Sequence, residues 1–339
     1  HGPLAVIAMW GAGFWELLSF SMQMLLVLVT GYMMASTPLV RRILERLADL
    51  ANSPGAAILL VSYVSLAASW INWGFGLVVG ALFAKAIARK VQVDYRLLVA
   101  SAYSGFIVWH GGLAGSVPLA IATVGHPFES MIGVIPTDRT IFAGYNLFIV
   151  IGLFIAVPLV NRMMLPKKDE QVLVDPALLA EPELAEITPS TPAERMENSR
   201  VLSLLIGVSG LAFLFQYFLN AGTLTLNIVN FLFLFIAILL HGTPRRLLAS
   251  LNEGVKGGAG IVIQFPFYAG IMAIMLNSGL AETISLAMIS FASAETFPFW
   301  TFISAGIASI AARRSSASAG RSPRSSATSA RTRNSGGAR

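Results

Sequence analysis

The chain has 339 residues, 55% hydrophobic and 12% charged, against about 25% charged residues in a soluble globular domain. Its formal charge of +6 is misleading: seven of the 23 basic side chains lie in residues 311–339 with no acid among them, leaving 16 basic against 17 acidic side chains before that stretch. The near-neutral body argues against nucleic acid as a partner, and with no cysteine there is neither a disulfide framework nor a thiolate metal site.

Uncharged apolar runs at 97–124, 141–160, 201–219, 223–240 and 257–277 approach or exceed the roughly 20 residues a helix needs to cross a bilayer. Lipid offers no partner to an open strand, so the expected class is an all-α polytopic membrane protein. The start at His1 shows no charged n-region and no cleavage site, so no signal peptide is expected. Helix 14–36 follows, with Trp10 and Trp15 read as interfacial belt residues and Glu16 at its start.

The loop at 37–54 carries Arg41, Arg42 and Arg46, and the segment at 85–96 carries Lys85, Arg89, Lys90 and Arg96. Basic residues beside short loops mark the cytoplasmic side, so residues 55–84 must enter the membrane and return. Their centre, WINWGFGLVVG (70–80), is read as a re-entrant hairpin with its tip at Asn72–Gly76, its glycines letting the backbone turn. Such irregular backbone survives only when buried in protein or lining a cavity. The alternative is one long, tilted helix packed on its glycines.

From Arg96 the chain runs outward through 97–124 and is interrupted again at WHGGLAGSVPL (109–119). Loop 125–139 is external, helix 141–160 returns to Arg162, Lys167 and Lys168, and an acidic, proline-bearing linker at 161–200 is expected in the cytoplasm. The expected organisation is a first membrane half at 1–160, incomplete at its N-terminal end, the linker at 161–200, and a partial second half at 201–307. The remainder, 308–339, is an Arg/Ser/Ala tail with little apolar surface, expected to be disordered. It reads as frameshift-derived sequence or, alternatively, as a basic segment on anionic lipid.

At an offset of 241 residues, Gly13 matches Gly254, Gln23 matches Gln264 and Leu39 matches Leu280. The charge pattern gives 14–36 and 257–277 opposite orientations, so the chain reads as an inverted-repeat secondary transporter.

Enzyme motifs fail. GFGLVVG lacks the dinucleotide-binding spacing, HGG at 110–112 has no accompanying G-x-S-x-G elbow, and there is neither a Walker A sequence nor a metal-ligand set. No enzymatic activity, cofactor or metal is expected. The candidate substrate-binding residues are Gln23, Asn72, Trp73, Gly74, Gly76, Trp109, Gly111, Gly112, Gly115, Ser116 and Gln264. His110 is a candidate for proton coupling. For the glutamines, an interhelical hydrogen bond is the alternative. Half-helices beginning inside the membrane present unpaired N–H groups and positive dipole ends, and 54–84 and 97–138 contain no lysine or arginine. That combination favours a small anionic substrate.

The stretches MWGAGFWELLSFSMQM (9–24), INWGFGLVVGALFA (71–84), GSVPL (115–119), RMMLPK (162–167) and IQFPFYAGI (263–271) resemble the short-chain fatty acid transporter family, the acetoacetate/butyrate permeases of bacterial inner membranes. The resemblance covers residues 7–307. It implies uptake of small carboxylates, coupled to protons or another cation, by alternating access, with Asn72–Gly76 and Gly111–Ser116 in the substrate pathway and Gln23 and Gln264 nearby. Three departures stand out: a missing first helix, His110 where the family carries glycine, and the arginine-rich tail after residue 307. On these grounds this chain is expected not to transport by itself. The other readings are a membrane scaffold or helper subunit that binds a partner through its acidic linker, and a channel. Substrate chain length, stoichiometry and oligomeric state are not encoded legibly.

Overall fold

The computed structural model describes residues 1–303 except 127, 180–189, 221, 291 and 294. The predicted tail at 308–339 lies outside the described residues. The helices in chain order are α1 (Pro3–Gly13), α2 (Leu18–Ala35), α3 (Pro38–Ala48), α4 (Pro54–Ile71), α5 (Trp73–Ala88), α6 (Tyr95–Ser104), α7 (Ser116–Ile121), α8 (Glu129–Ile132) and α9 (Gly144–Met163). After the linker come α10 (Pro192–Glu197), α11 (Arg200–Leu219), α12 (Leu226–His241), α13 (Pro244–Lys256), α14 (Ala259–Asn277) and α15 (Leu280–Ile289). No strand occurs among the described residues. Among the described residues, six segments are long and apolar enough to cross a membrane. The protein is an all-α, multi-pass membrane protein.

Helix starts are written locally. Thr37, Ser53, Thr191 and Thr243 each precede a proline and accept a backbone N–H three residues on. The hydroxyl satisfies one of the orphan donors of the first turn, and proline fits the first helical position because it has no N–H to leave unpaired.

Two compact units divide the chain: residues 14–269, and residues 1–13 with 270 onward. In the smaller unit, Gly270 lets the Trp10 indole approach the α14 backbone. The larger unit holds the core.

Within it, α4 and α5 form the expected helical hairpin. Gly76 lies against Ser69 and Gly80 against Ser65, an antiparallel register centred on residue 72. The α5 end of the hairpin lies beside α3, where Arg89 meets Glu45 at 2.6 Å and Lys90 meets Asp49 at 2.5 Å. The two basic segments therefore share one end of the molecule, as their charge pattern predicted.

One expectation is corrected in detail. The turn is not made by glycine: it occurs at Asn72 alone, whose backbone is extended at φ −156°, ψ 126°. Gly74, Gly76 and Gly80 are helical and serve close approach instead. A Cβ on Gly74 would come within 2.5 Å of the Val27 carbonyl oxygen on α2.

The second interruption is also present. A 3-10 helix over Gly105–Gly111 follows α6, Gly112 is extended at φ −103°, ψ 178°, and α7 restarts at Ser116. Helix α9 is fastened across this broken segment by two asparagines. Asn146 donates to the Gly111 carbonyl at 3.1 Å, and Asn161 donates to Ser62 and Ser104 at 2.9 and 2.8 Å.

Helix α12 runs parallel to α2, with Asn230 on Gln23 and the His241 ring on the Met33 carbonyl. Helices α13 and α14 run the other way, with Ser250 on Ser36 and the Ile261 carbonyl near Ser21. Phe20 and Phe265 meet edge to face at 5.5 Å. The opposite orientation expected for 14–36 and 257–277 is thus present. Helix 14–36 begins later than predicted, because residues 14–17 form a turn after α1.

Candidate functional site: the hairpin tip and the broken segment

The side chain of Asn72 ends one helix and begins the next. Its backbone N–H donates to Ala68 at 3.0 Å, and its Oδ1 accepts the Phe75 N–H at 2.9 Å. Asn72 is fully buried and Trp73 is 7% exposed. Above them lies α2, where Gly31 leaves room for the Asn72 carboxamide and the Phe75 backbone.

The broken segment meets this tip directly. The Leu113 N–H donates to the Trp70 carbonyl at 2.7 Å, and Gly112 sits so close to Trp70 that a Cβ would lie 2.8 Å from its Cα. Gly115, buried with Ser116, packs on the His110 and Gly112 carbonyls. Gly111 abuts Asn146.

Aromatic rings close one side. Trp73 meets Trp109 at 5.7 Å and Phe106 at 6.2 Å, both edge to face, and Phe106 stacks on Trp109 at 5.1 Å. Trp73 also belongs to an apolar cluster with Met24, Val27, Ala114, Leu119, Leu226, Val229 and Phe233. Asn72, Ser116 and Asn230 are each adjacent or close in sequence to members of that cluster.

Several buried polar atoms here have no protein partner: Trp70 Nε1, Asn72 Nδ2, Trp73 Nε1, Ser116 Oγ and Asn230 Oδ1. Leaving such groups unsatisfied costs about 1–3 kcal/mol each. The polarity of the Asn72 orphan is fixed, because its oxygen is held by a backbone N–H and its NH2 group must therefore face the other way. Indole N–H groups can only donate. Trp70, Asn72 and Trp73 at the hairpin tip thus each carry one unpartnered donor, and Ser116 at the start of α7 carries an unpartnered hydroxyl.

The remaining predicted residues fall differently. Gln23 is half-buried and donates to Asn227 on α12 at 2.9 Å. Gln264 is exposed and pairs with Tyr268 one turn along α14. His110 is exposed, its ring 3.7 Å from that of Trp109. No group of three His, Cys, Asp or Glu side chains could hold a metal among the described residues.

Sequence reasoning missed Trp70, Gly31, Asn227 and Asn230. The asparagines were findable: they are polar residues within the uncharged run 223–240, the criterion that selected Gln23. Trp70 and Gly31 carry no such signal, since their role depends on which backbone lies opposite.

The profile of the family described as "Short chain fatty acid transporter" matches residues 1–319. The chain belongs to the short-chain fatty acid transporter family. A protein of Escherichia coli (strain K12), provisionally named a short-chain fatty acid transporter, is 44% identical over 316 residues, covering 91% of this chain and 71% of the relative. One of the same provisional name from Haemophilus influenzae (strain ATCC 51907 / DSM 11121 / KW20 / Rd) is 42% identical over 321 residues, covering 91% and 72%. No solved structure matches the chain. Membership of this family agrees with the resemblance drawn from the hairpin and GSVPL stretches, and the match extends beyond residue 307, where that resemblance had stopped.

Proposed function

We propose that the protein carries small carboxylates, of the acetoacetate and butyrate type, across a bacterial inner membrane, with its substrate held between the hairpin tip and the broken segment. The observation that carries this reading is the set of unpartnered donors on Trp70, Asn72 and Trp73 with Ser116 alongside. A carboxylate is acceptor-only and has about four lone-pair sites, so it can satisfy donors that no protein atom meets. Gly112 brings the backbone of the broken segment against Trp70, and the apolar cluster around Trp73 suits a short alkyl chain.

Alternating access would use the two interruptions as the points where halves of the path open, as in transporters built on broken helices. Coupling is to a proton, with His110 as the candidate group, or to another cation. The basic end, with α3 and the linker at 161–200, faces the cytoplasm by the positive-inside rule.

The test is thermal stabilisation of the purified chain in nanodiscs by butyrate and acetoacetate, with butyramide as the uncharged control. The carboxylates should raise the midpoint and butyramide should not, and Asn72→Ala with Ser116→Ala should remove the effect. Equal stabilisation by butyramide, or none by either carboxylate, would refute the reading. Uptake of labelled butyrate into proteoliposomes, with and without a proton gradient, addresses coupling.

A further inference from the structure

Asn230 on α12 is 6% exposed, and its two amide atoms have different surroundings. Its Nδ2 donates to the backbone carbonyl of Gln23 at 3.0 Å, while its Oδ1 meets no donor. The Gln23 carbonyl can only accept, so turning the amide over would break that bond. The unpartnered atom is therefore an oxygen. Asn72 is the converse case, with its oxygen occupied and its NH2 group free.

Helix α2 relates the two. Asn230 meets it at the Gln23 carbonyl, Gly74 packs on the Val27 carbonyl, and Asn72 lies against Gly31. These positions are four residues apart on one face, about 6 Å per step. The neighbours of Asn230, Leu226, Val229 and Phe233, belong to the same apolar cluster as Trp73 and Leu119. The tip thus carries unpartnered donors, and α12 carries an unpartnered acceptor against the same helix, α2, two such steps away.

An unsubstituted alkyl chain has nothing to give that oxygen, and the ketone of acetoacetate would set acceptor against acceptor, so both are held less well than a chain that can donate. A hydroxyl donates. We propose that Asn230 reads a hydroxyl on the carbon chain of the substrate, so that the site prefers a hydroxylated short-chain carboxylate to the plain acid of the same length. This rests on the carboxylate reading of the tip given above. A site whose buried polar group is met by a substrate hydroxyl discriminates strongly against the analogue lacking it.

The experiment compares butyrate with 3- and 4-hydroxybutyrate on the full chain in nanodiscs, by thermal shift and by tryptophan fluorescence titration. One of the hydroxy acids should bind about tenfold or more tightly than butyrate, and Asn230→Leu should collapse that ratio to about one. Equal affinity for all three in the unsubstituted protein overturns the proposal, as does a preference that survives Asn230→Leu. If that variant does not fold, the ratio in the unsubstituted protein decides alone. Failure of every carboxylate to bind would refute the carboxylate site itself, whereas binding without preference refutes only the role of Asn230.

Discussion

The Leu113 N–H donates to the Trp70 carbonyl at 2.7 Å, joining the tip of the α4–α5 hairpin to the broken segment before α7. That bond satisfies two backbone groups at once, at a place where neither belongs to a regular helix ladder. It is reached only because Gly112 lets the two backbones meet.

Gly112→Val is therefore expected to separate them. Side-chain atoms placed in a filled interface cost about 1–3 kcal/mol, and here they would also break the Leu113–Trp70 bond. The variant should lose stabilisation by butyrate and melt at a lower temperature, both readable in one thermal-shift series. Gly152→Val, at a glycine facing open space on α9, should change neither.

Asn161 links α9 to the hairpin through Ser62 and to α6 through Ser104. Asn161→Leu removes the donor to both hydroxyls, which keep their own bonds to the Ile58 and Ser101 carbonyls, so two hydrogen bonds are lost at about 0.5–1.5 kcal/mol each. Denaturant unfolding in mild detergent should show this loss, and Asn161→Gln should not restore full stability, because the longer side chain displaces the amide.

Asp94 caps α6 at the basic end. Burial by itself would raise its pKa, but the Val172 and Leu97 N–H groups and the Arg96 guanidinium outweigh that and hold it below the ordinary carboxylate value. The folded form thus releases its proton more readily than the unfolded chain. The stabilisation is complete above the unfolded value of about 3.9 and is lost as pH falls through the lower folded value. The melting-temperature gap between the unsubstituted protein and Asp94→Asn should be widest near neutral pH and should narrow progressively below about pH 4.

Absence of cysteine makes single-cysteine reporters clean. Cysteine at Asn52 and at Val91, on the two ends of the hairpin, should react with an impermeant maleimide from the same side of a sealed vesicle. Cysteine at Gly133 should react from the opposite side. Labelling of 52 and 91 from different sides would mean that α4 and α5 do not return to the surface they leave.

Composition and charge placement determined the class of this protein. Long uncharged runs can be stable only as helices in lipid, and Arg41, Arg42, Arg46, Arg89 and Lys90 place both ends of residues 55–84 together, because those are properties of the chain read locally. Asn72 and the 109–119 interruption were legible for the same reason: asparagine caps helices and glycine weakens them. What turned the chain, and what the glycines do, was decided by tertiary structure. Gly74 and Gly76 lie within a helix, and their missing Cβ lets α2 and α4 come close, while Trp70, Gly31 and Asn230 acquire their roles only from the backbone opposite. A hydrogen bond left unmade depends on every neighbour of an atom, and neighbours distant in sequence are set by packing.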